Sequence, residues 1–512
     1  MSSILIAISL LATLIVTAFL YVKHVFTYWK RKGIPFKTPS FPFGNFQGSL
    51  LQRKPFAEEL RELYNSTTEP FIGMYMSLQP GLLVRDPKII KDMCIKSFQN
   101  FDHRVFDTNV ESDPMADNIL LQKGDKWKQV RTQFSPAFSS GKLKGMFNTI
   151  VNCVNALEEH INCFANTDKS LEMFELFGQY TTNVIASVAF GLEVNCIKDP
   201  NGEFRRYAKR LFEPTVKNIT RANFNIMMPK LSNLLGLRFV DKEVGDFMIE
   251  TVRQNAEYRE KNNVICKDLF QLLMQLRNTG KVNDDDDDWS AKSNSSEKAI
   301  TLEEIAAHTF LFLVGGHDSS ATSMAFALFE LAKHAEVQQK VYEEIADVLQ
   351  NLDGKLTYDS LAEMKFLECC LNESMRMYPP FPVGTRTCSK NYQIPGTNVI
   401  IEEGTQIYFS ATGLQYDEKY YDEPTKFKPE RYSDAQTTKN FESMPGFAFG
   451  EGTRNCIGMR LAKLSSKLTI VLLLQKFRFE LADQHKNTEV KSDPKASALF
   501  PINGLNFKVF VR

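Results

Sequence analysis

The 512-residue chain carries no net charge: 61 lysines and arginines are balanced by 61 aspartates and glutamates. Without a basic surplus there is no electrostatic reason to expect nucleic acid as a partner. It also lacks paired cysteines. The nine cysteines are scattered and odd in number, with Cys369 and Cys370 adjacent and no Cys-x-x-Cys anywhere. That pattern excludes a disulfide framework and points to a reducing compartment. Histidine is sparse, at seven residues. His308 and His317 share one apolar stretch but fall about 180° apart at ~100° per residue, so they cannot converge on one ion. No internal repeat and no long linker rich in proline, serine or glycine divides the chain. One large domain is therefore expected, although length alone would allow about three of ~150 residues each.

What is present begins with a long apolar run. Residues 4–22 are uncharged and rich in Leu, Ile, Val and Ala, and a helix of ~20 such residues crosses a ~30 Å hydrocarbon core. No basic residue precedes the run, and no small-x-small cleavage site follows, so a retained anchor fits better than a cleaved signal peptide. Lys23, His24 and then Lys30, Arg31 and Lys32 follow, which places the remainder on the cytosolic side. The expected division is an anchor with its basic flank at 1–32, then a proline-rich segment and a single domain at 33–512. The Asn-x-Ser/Thr sites at Asn65, Asn218, Asn294 and Asn372 should then carry no glycan, because they never meet the lumenal machinery. The residues from Asn283 through Ser296, with their run of aspartates, read as a solvated loop.

The stretch that organises the chain is Phe449-x-x-Gly452-x-Arg454-x-Cys456-x-Gly458, followed by an amphipathic run from Met459. Cys456 therefore precedes a helix N-terminus, where unpaired N–H groups and the dipole favour a thiolate. The glycines admit close approach by something large and flat, and Arg454 suits a carboxylate. One thiolate with no second cysteine nearby does not suit zinc. It suits an iron already held by four macrocycle nitrogens and needing one axial ligand.

On these residues the chain resembles the cytochrome P-450 superfamily, whose haem-binding signature they match at every fixed position. Further motifs agree. Trp127 and Arg131 share a helical face and match the family's Trp-x-x-x-Arg, which contacts haem carboxylates. Thr301 and Glu304 form a capping box before a long apolar helix with Gly315-Gly316-His317-Asp318-Ser319-Ser320 inside it. The paired glycines predict a local opening of that helix. Asp318 and Ser319 supply an acid and an alcohol for proton delivery. Serine stands where the family usually has threonine. It keeps the hydroxyl but loses the methyl that restricts the rotamer, which predicts more peroxide leakage. Glu373-x-x-Arg376 and the later Arg431 resemble the family's buried ion-pair network. Arg386 resembles its second haem-propionate arginine.

The resemblance, which in its details is to insect microsomal members of the sixth family, implies a mainly α fold with small β-sheets, preceded by one N-terminal transmembrane helix. It implies haem b, O2, and electrons from NADPH through a separate flavoprotein reductase, with cytochrome b5 as a further donor, at the endoplasmic reticulum membrane. The activity implied is monooxygenation of small apolar substrates such as plant toxins, insecticides, lipids or hormones. Phe449 would tune the thiolate. Phe310, Phe312 and the loop around Phe381 would line the substrate pocket, with further lining expected from 101–121 and 205–237. Lys126, Lys128, Lys142, Lys144, Arg460 and Lys463 are candidate contacts for the reductase. Two other classes stay open at this stage: a haem-thiolate isomerase or dehydratase, and a non-catalytic haem sensor.

Overall fold

The computed structural model describes the chain except residues 1, 107, 213–214, 216–217, 219, 222–223, 226–227, 284, 292–298, 435–447, 487–489 and 497. Asn294 lies outside the described residues, as do parts of the 101–121 and 205–237 stretches. The apolar run forms a helix, Ser2–Phe26. It is long and apolar enough to cross a membrane, and none of its most apolar window is buried against the protein. A short helix, Tyr28–Arg31, follows directly. Its Trp29 is buried in the body of the protein: the indole Nε1 donates to the Met74 carbonyl at 3.0 Å.

The strands are β1 Phe71–Met76, β2 Gln79–Val84, β3 Leu171–Glu172, β4 Val383–Thr387, β5 Tyr392–Gln393, β6 Ile400–Ile401, β7 Gln406–Ser410, β8 Phe477–Leu481 and β9 Asn506–Val511. They make three small sheets, ordered β1-β2-β7-β4, β3-β9-β8 and β5-β6. Pro80 and Gly81 do not interrupt the second strand. Both residues lie within β2, paired to Tyr75 and Met74 across a tight hairpin.

Most of the other described residues are helical and are built around Leu302–Lys333, a helix of 32 residues, about 48 Å long at 1.5 Å per residue. Its start is fixed as the sequence predicts. Thr301 Oγ1 accepts from the Glu304 N–H at 3.1 Å, and Glu304 Oε2 accepts from the Thr301 N–H at 2.9 Å. Glu303 and Glu304 at its first turn and Lys333 at its last complement the dipole. It packs on the helices Met173–Ile185, Lys242–Asn262, Lys365–Met377 and Met459–Lys476. The expected local opening at the glycines is absent: the helix runs unbroken through Gly315 and Gly316. The two glycines do separate jobs. A Cβ at Gly316 would lie 2.6 Å from Ile185, whereas a Cβ at Gly315 would meet nothing within 4 Å. The first permits close helix packing, and the second leaves open space beside the helix.

The Glu373–Arg376–Arg431 network is present and buried. Arg376 donates twice to Glu373, at 2.8 and 2.9 Å, and Arg431 Nε donates to it at 3.2 Å. The Lys428 N–H adds a fourth donor at 3.0 Å. Three of the donors converge on Oε1 and one reaches Oε2, so both oxygens of the buried carboxylate are hydrogen-bonded.

The acidic stretch departs from the sequence reading. Trp289 is buried in the core, not solvated. Lys142 lies over its ring, and the Lys142 Nζ donates to the carbonyls of Asp285 and Asp288 at 2.6 and 3.0 Å. An indole and two convergent carbonyls outweigh the repulsion among the aspartates. Lys142 is 1% exposed, so it is withdrawn from the candidate partner contacts. Asn372 is buried as well, which closes it to glycosylation.

Candidate functional site

The loop that carries Cys456 is shaped by its glycines. Gly452 has φ +76°, and a Cβ there would lie 2.2 Å from the Cys94 carbonyl oxygen. Only glycine combines that conformation with so close an approach. The Cys456 N–H donates to the Phe449 carbonyl at 2.8 Å, which closes the loop three residues before the helix Met459–Lys476. The Cys456 side chain opens onto a cavity of about 2040 Å³ that extends outward to surface residues such as Lys54 and Lys495. Burial pushes its thiol up, opposed by the Gly458 N–H and then by the positive charges of Arg131 and Arg104. The backbone donor thus acts as the sequence predicts, while the effect of the two arginines on the thiol and the larger, opposing desolvation are not visible in the sequence.

All eight residues singled out for the site line this one cavity: Cys456, Phe449, Arg454, Trp127, Arg131, Arg386, Asp318 and Ser319. They come from four separated stretches of chain. The Gly124–Phe134 helix supplies Trp127 and Arg131. Strand β4 supplies Arg386, and the long central helix supplies Asp318 and Ser319 on another wall. The Arg454 guanidinium lies 4.4 Å from the centre of the Trp127 ring and donates to the carbonyls of Leu120 and Gln122. Arg131 donates to the Asn455 carbonyl at 3.0 Å and to Asn455 Oδ1 at 2.8 Å. It braces the cysteine loop. Ser319 Oγ donates back to the Gly315 carbonyl.

Sequence reasoning missed Arg104. It lines the same cavity and donates to the Arg454 carbonyl at 3.3 Å. No periodicity or motif marks it, because it lies in a loop and reaches the site only through the β-bridge between His103 and Thr387. Burial, and after it repulsion from Arg386, pushes both Arg104 and Arg454 down to about 9. The Nε atoms of Arg104, Arg386 and Arg454 are buried without a hydrogen-bond partner. Among the described residues, none of the three makes an ion pair. Three guanidiniums with unmet donors beside a flat apolar space fit a planar group bearing two carboxylates. The residues present therefore fit a haem.

The apolar side of the cavity is formed by Phe106, Phe310, Phe312, Phe381, Val383 and Phe500 among others, so the three expected phenylalanines all reach it. Arg205 does not. It is 2% exposed and turned toward His317. His308 and His317 diverge as expected: His308 packs on the Phe134 ring at 4.4 Å, on the far side from Arg205. No cluster of potential metal ligands occurs among the described residues.

Comparison with known proteins agrees with this geometry. A family model described as Cytochrome P450 matches residues 35–509. Probable cytochrome P450 6d5 of Drosophila melanogaster is 35% identical over 511 residues, covering 99% of this chain and 100% of the relative. Cytochrome P450 6k1 of Blattella germanica is 34% identical, covering 92% and 90% respectively. Cytochrome P450 6A1 of Musca domestica is 32% identical, covering 99% and 98%.

Proposed function

The chain belongs to the cytochrome P450 family, a family of haem-dependent monooxygenases, and from that premise we propose that it inserts one oxygen atom of O2 into small apolar substrates. Electrons would come from NADPH through a separate flavoprotein reductase, with cytochrome b5 as a second donor. The observation that carries this reading is the one cavity lined by Cys456, the Asp318–Ser319 pair and three arginines whose buried Nε donors are unmet.

Haem b, when bound, supplies the redox-active iron at which O2 is activated. Cys456 would hold its iron through the thiolate, with Phe449 and the Gly458 N–H to tune the sulfur. Arg104, Arg386 and Arg454, with Trp127, would hold the carboxylates, and Arg131 keeps the cysteine loop in place. Asp318 and Ser319 hold protons at the cavity wall, within one turn of the space left by Gly315. The phenylalanines exclude water and favour an apolar substrate. Plant toxins, insecticides and endogenous lipids or hormones are the classes to test. The Ser2–Phe26 helix would anchor the protein in the endoplasmic reticulum membrane with the body in the cytosol. Lys126, Lys128, Lys144, Arg460 and Lys463 would face the reductase.

The test is reconstitution of the purified full chain with reductase and NADPH against a panel of apolar compounds, scored by product mass. Reductase-dependent product carrying oxygen from labelled O2 is expected. Rearrangement of an added peroxide without reductase would instead mark an isomerase. Carbon monoxide binding with no turnover of any compound would mark a sensor. A reduced, carbon monoxide-treated spectrum typical of imidazole ligation would overturn the assignment of Cys456.

A further inference from the structure

Asp318 is held by its neighbour. His317 is 6% exposed, and its Nδ1 lies 2.7 Å from Asp318 Oδ1. On the other side of the ring, Nε2 lies 2.6 Å from Arg205 Nη1. Arg205 belongs to the helix Glu203–Phe212 and is itself fixed. Its Nη1 also donates to Thr182 Oγ1 at 2.9 Å, and its Nη2 donates to Glu175 Oε1 at 2.9 Å. Glu175 is half exposed. Gly178 leaves room for the contact: a Cβ there would touch both Arg205 and His317, at 3.5 and 3.7 Å.

The chemistry of the partners settles the hydrogen positions. A guanidinium has five donors and no acceptor, so His317 Nε2 must accept. A neutral imidazole has one donor and one acceptor, so Nδ1 carries the hydrogen and gives it to Asp318. A proton on both ring nitrogens would aim an N–H at an N–H of Arg205. The chain from Glu175 to Asp318 is also no proton wire, because a guanidinium does not give up its proton in a protein.

We infer that His317 is a positioning residue for Asp318. Arg205 locks the ring as the neutral Nδ1–H tautomer, and the ring ties down Asp318 Oδ1. Oδ2 is left as the oxygen that works at the cavity. This rests on the reading above that Asp318 handles protons during oxygen activation. Among the described residues, the charged groups bonded to the ring are Arg205 and Asp318, with Glu175 behind Arg205.

The test has two readouts on the full chain in detergent. In protein labelled with 15N-histidine, the seven histidines give signals that report tautomer and protonation. The signal lost in His317→Asn, or shifted in Asp318→Ala should the histidine variants fail to fold, is expected to be a neutral Nδ1–H ring. An Nε2–H tautomer or an imidazolium at neutral pH overturns the proposal, whatever the enzyme turns over. The second readout uses shape. Asparagine places its amide N–H near the old Nδ1, and glutamine places its own near the old Nε2. His317→Gln is expected to release about tenfold more peroxide per product, and His317→Asn to stay within about twofold of wild type. Equal losses in the two variants, or no loss in either, overturn it. Absence of any wild-type turnover would count against the proposed function and leave the tautomer result standing.

Discussion

Two single residues give measurable consequences. Ser319 has its hydroxyl turned back onto the Gly315 carbonyl, a bond that any serine or threonine in a helix can make. What it lacks is the methyl that limits the alternatives. Ser319→Thr is expected to lower peroxide released per NADPH consumed, and equal leakage would refute this. His308 concerns stability. Burial pushes its pKa down to about 4, below the ordinary 6.5. Between those values the unfolded chain binds a proton that the folded chain refuses. The contribution is therefore full above about pH 6.5 and is lost as the pH falls toward 4. From pH 7 to 5 the loss is about 2 kcal/mol. Denaturant titrations at the two pH values should show it in wild type and a flatter change in His308→Gln. At this scale the sequence was most legible where residues act through near neighbours in the chain. The Phe449–Gly458 motif needed no tertiary knowledge, because its glycines, thiol and helix start are contiguous. Arg104 and the Arg205–His317 contact were invisible for the opposite reason: the partners are separated by over a hundred residues and no period links them.

Elements were read with similar unevenness. The long central helix declared both its start and its burial, through the Thr301–Glu304 box and an apolar run with no polar face. Its behaviour at Gly315-Gly316 was misjudged, because glycine's low helix propensity is a weak prior once neighbours such as Ile185 pack against it. The acidic loop was misread because charge repulsion is visible in sequence, whereas the docking of Trp289 and Lys142 is not. The Glu373 network offers a test at this scale. Glu373→Gln removes the one carboxylate shared by two buried guanidiniums. Breaking such a pair from one side costs about 3–5 kcal/mol. Thermal melts should drop accordingly, and haem recovered per mole of purified protein should fall. An unchanged melting temperature would show that the network is dispensable.

The whole molecule joins a membrane-type helix to a body with less freedom between them than the basic flank suggests. Trp29 sits against Gly73, where a Cβ would come within 2.5 Å of the indole, and its backbone N–H donates to the Tyr75 hydroxyl. Tyr28 donates to Glu402 at 2.8 Å, and Lys32 pairs with the same carboxylate. Trp29→Ala removes the large core side chain of this joint, with an expected cost of about 3–5 kcal/mol. Limited proteolysis should then cut between residues 27 and 33 faster than in wild type, and equal cutting rates would sink the prediction.

The joint at Trp29 has a mechanical corollary. A mast stepped into the hull cannot lean without heeling the boat. With the Ser2–Phe26 helix seated in a bilayer, as proposed above, a change of its tilt in a thicker or thinner membrane would turn the globular part with it.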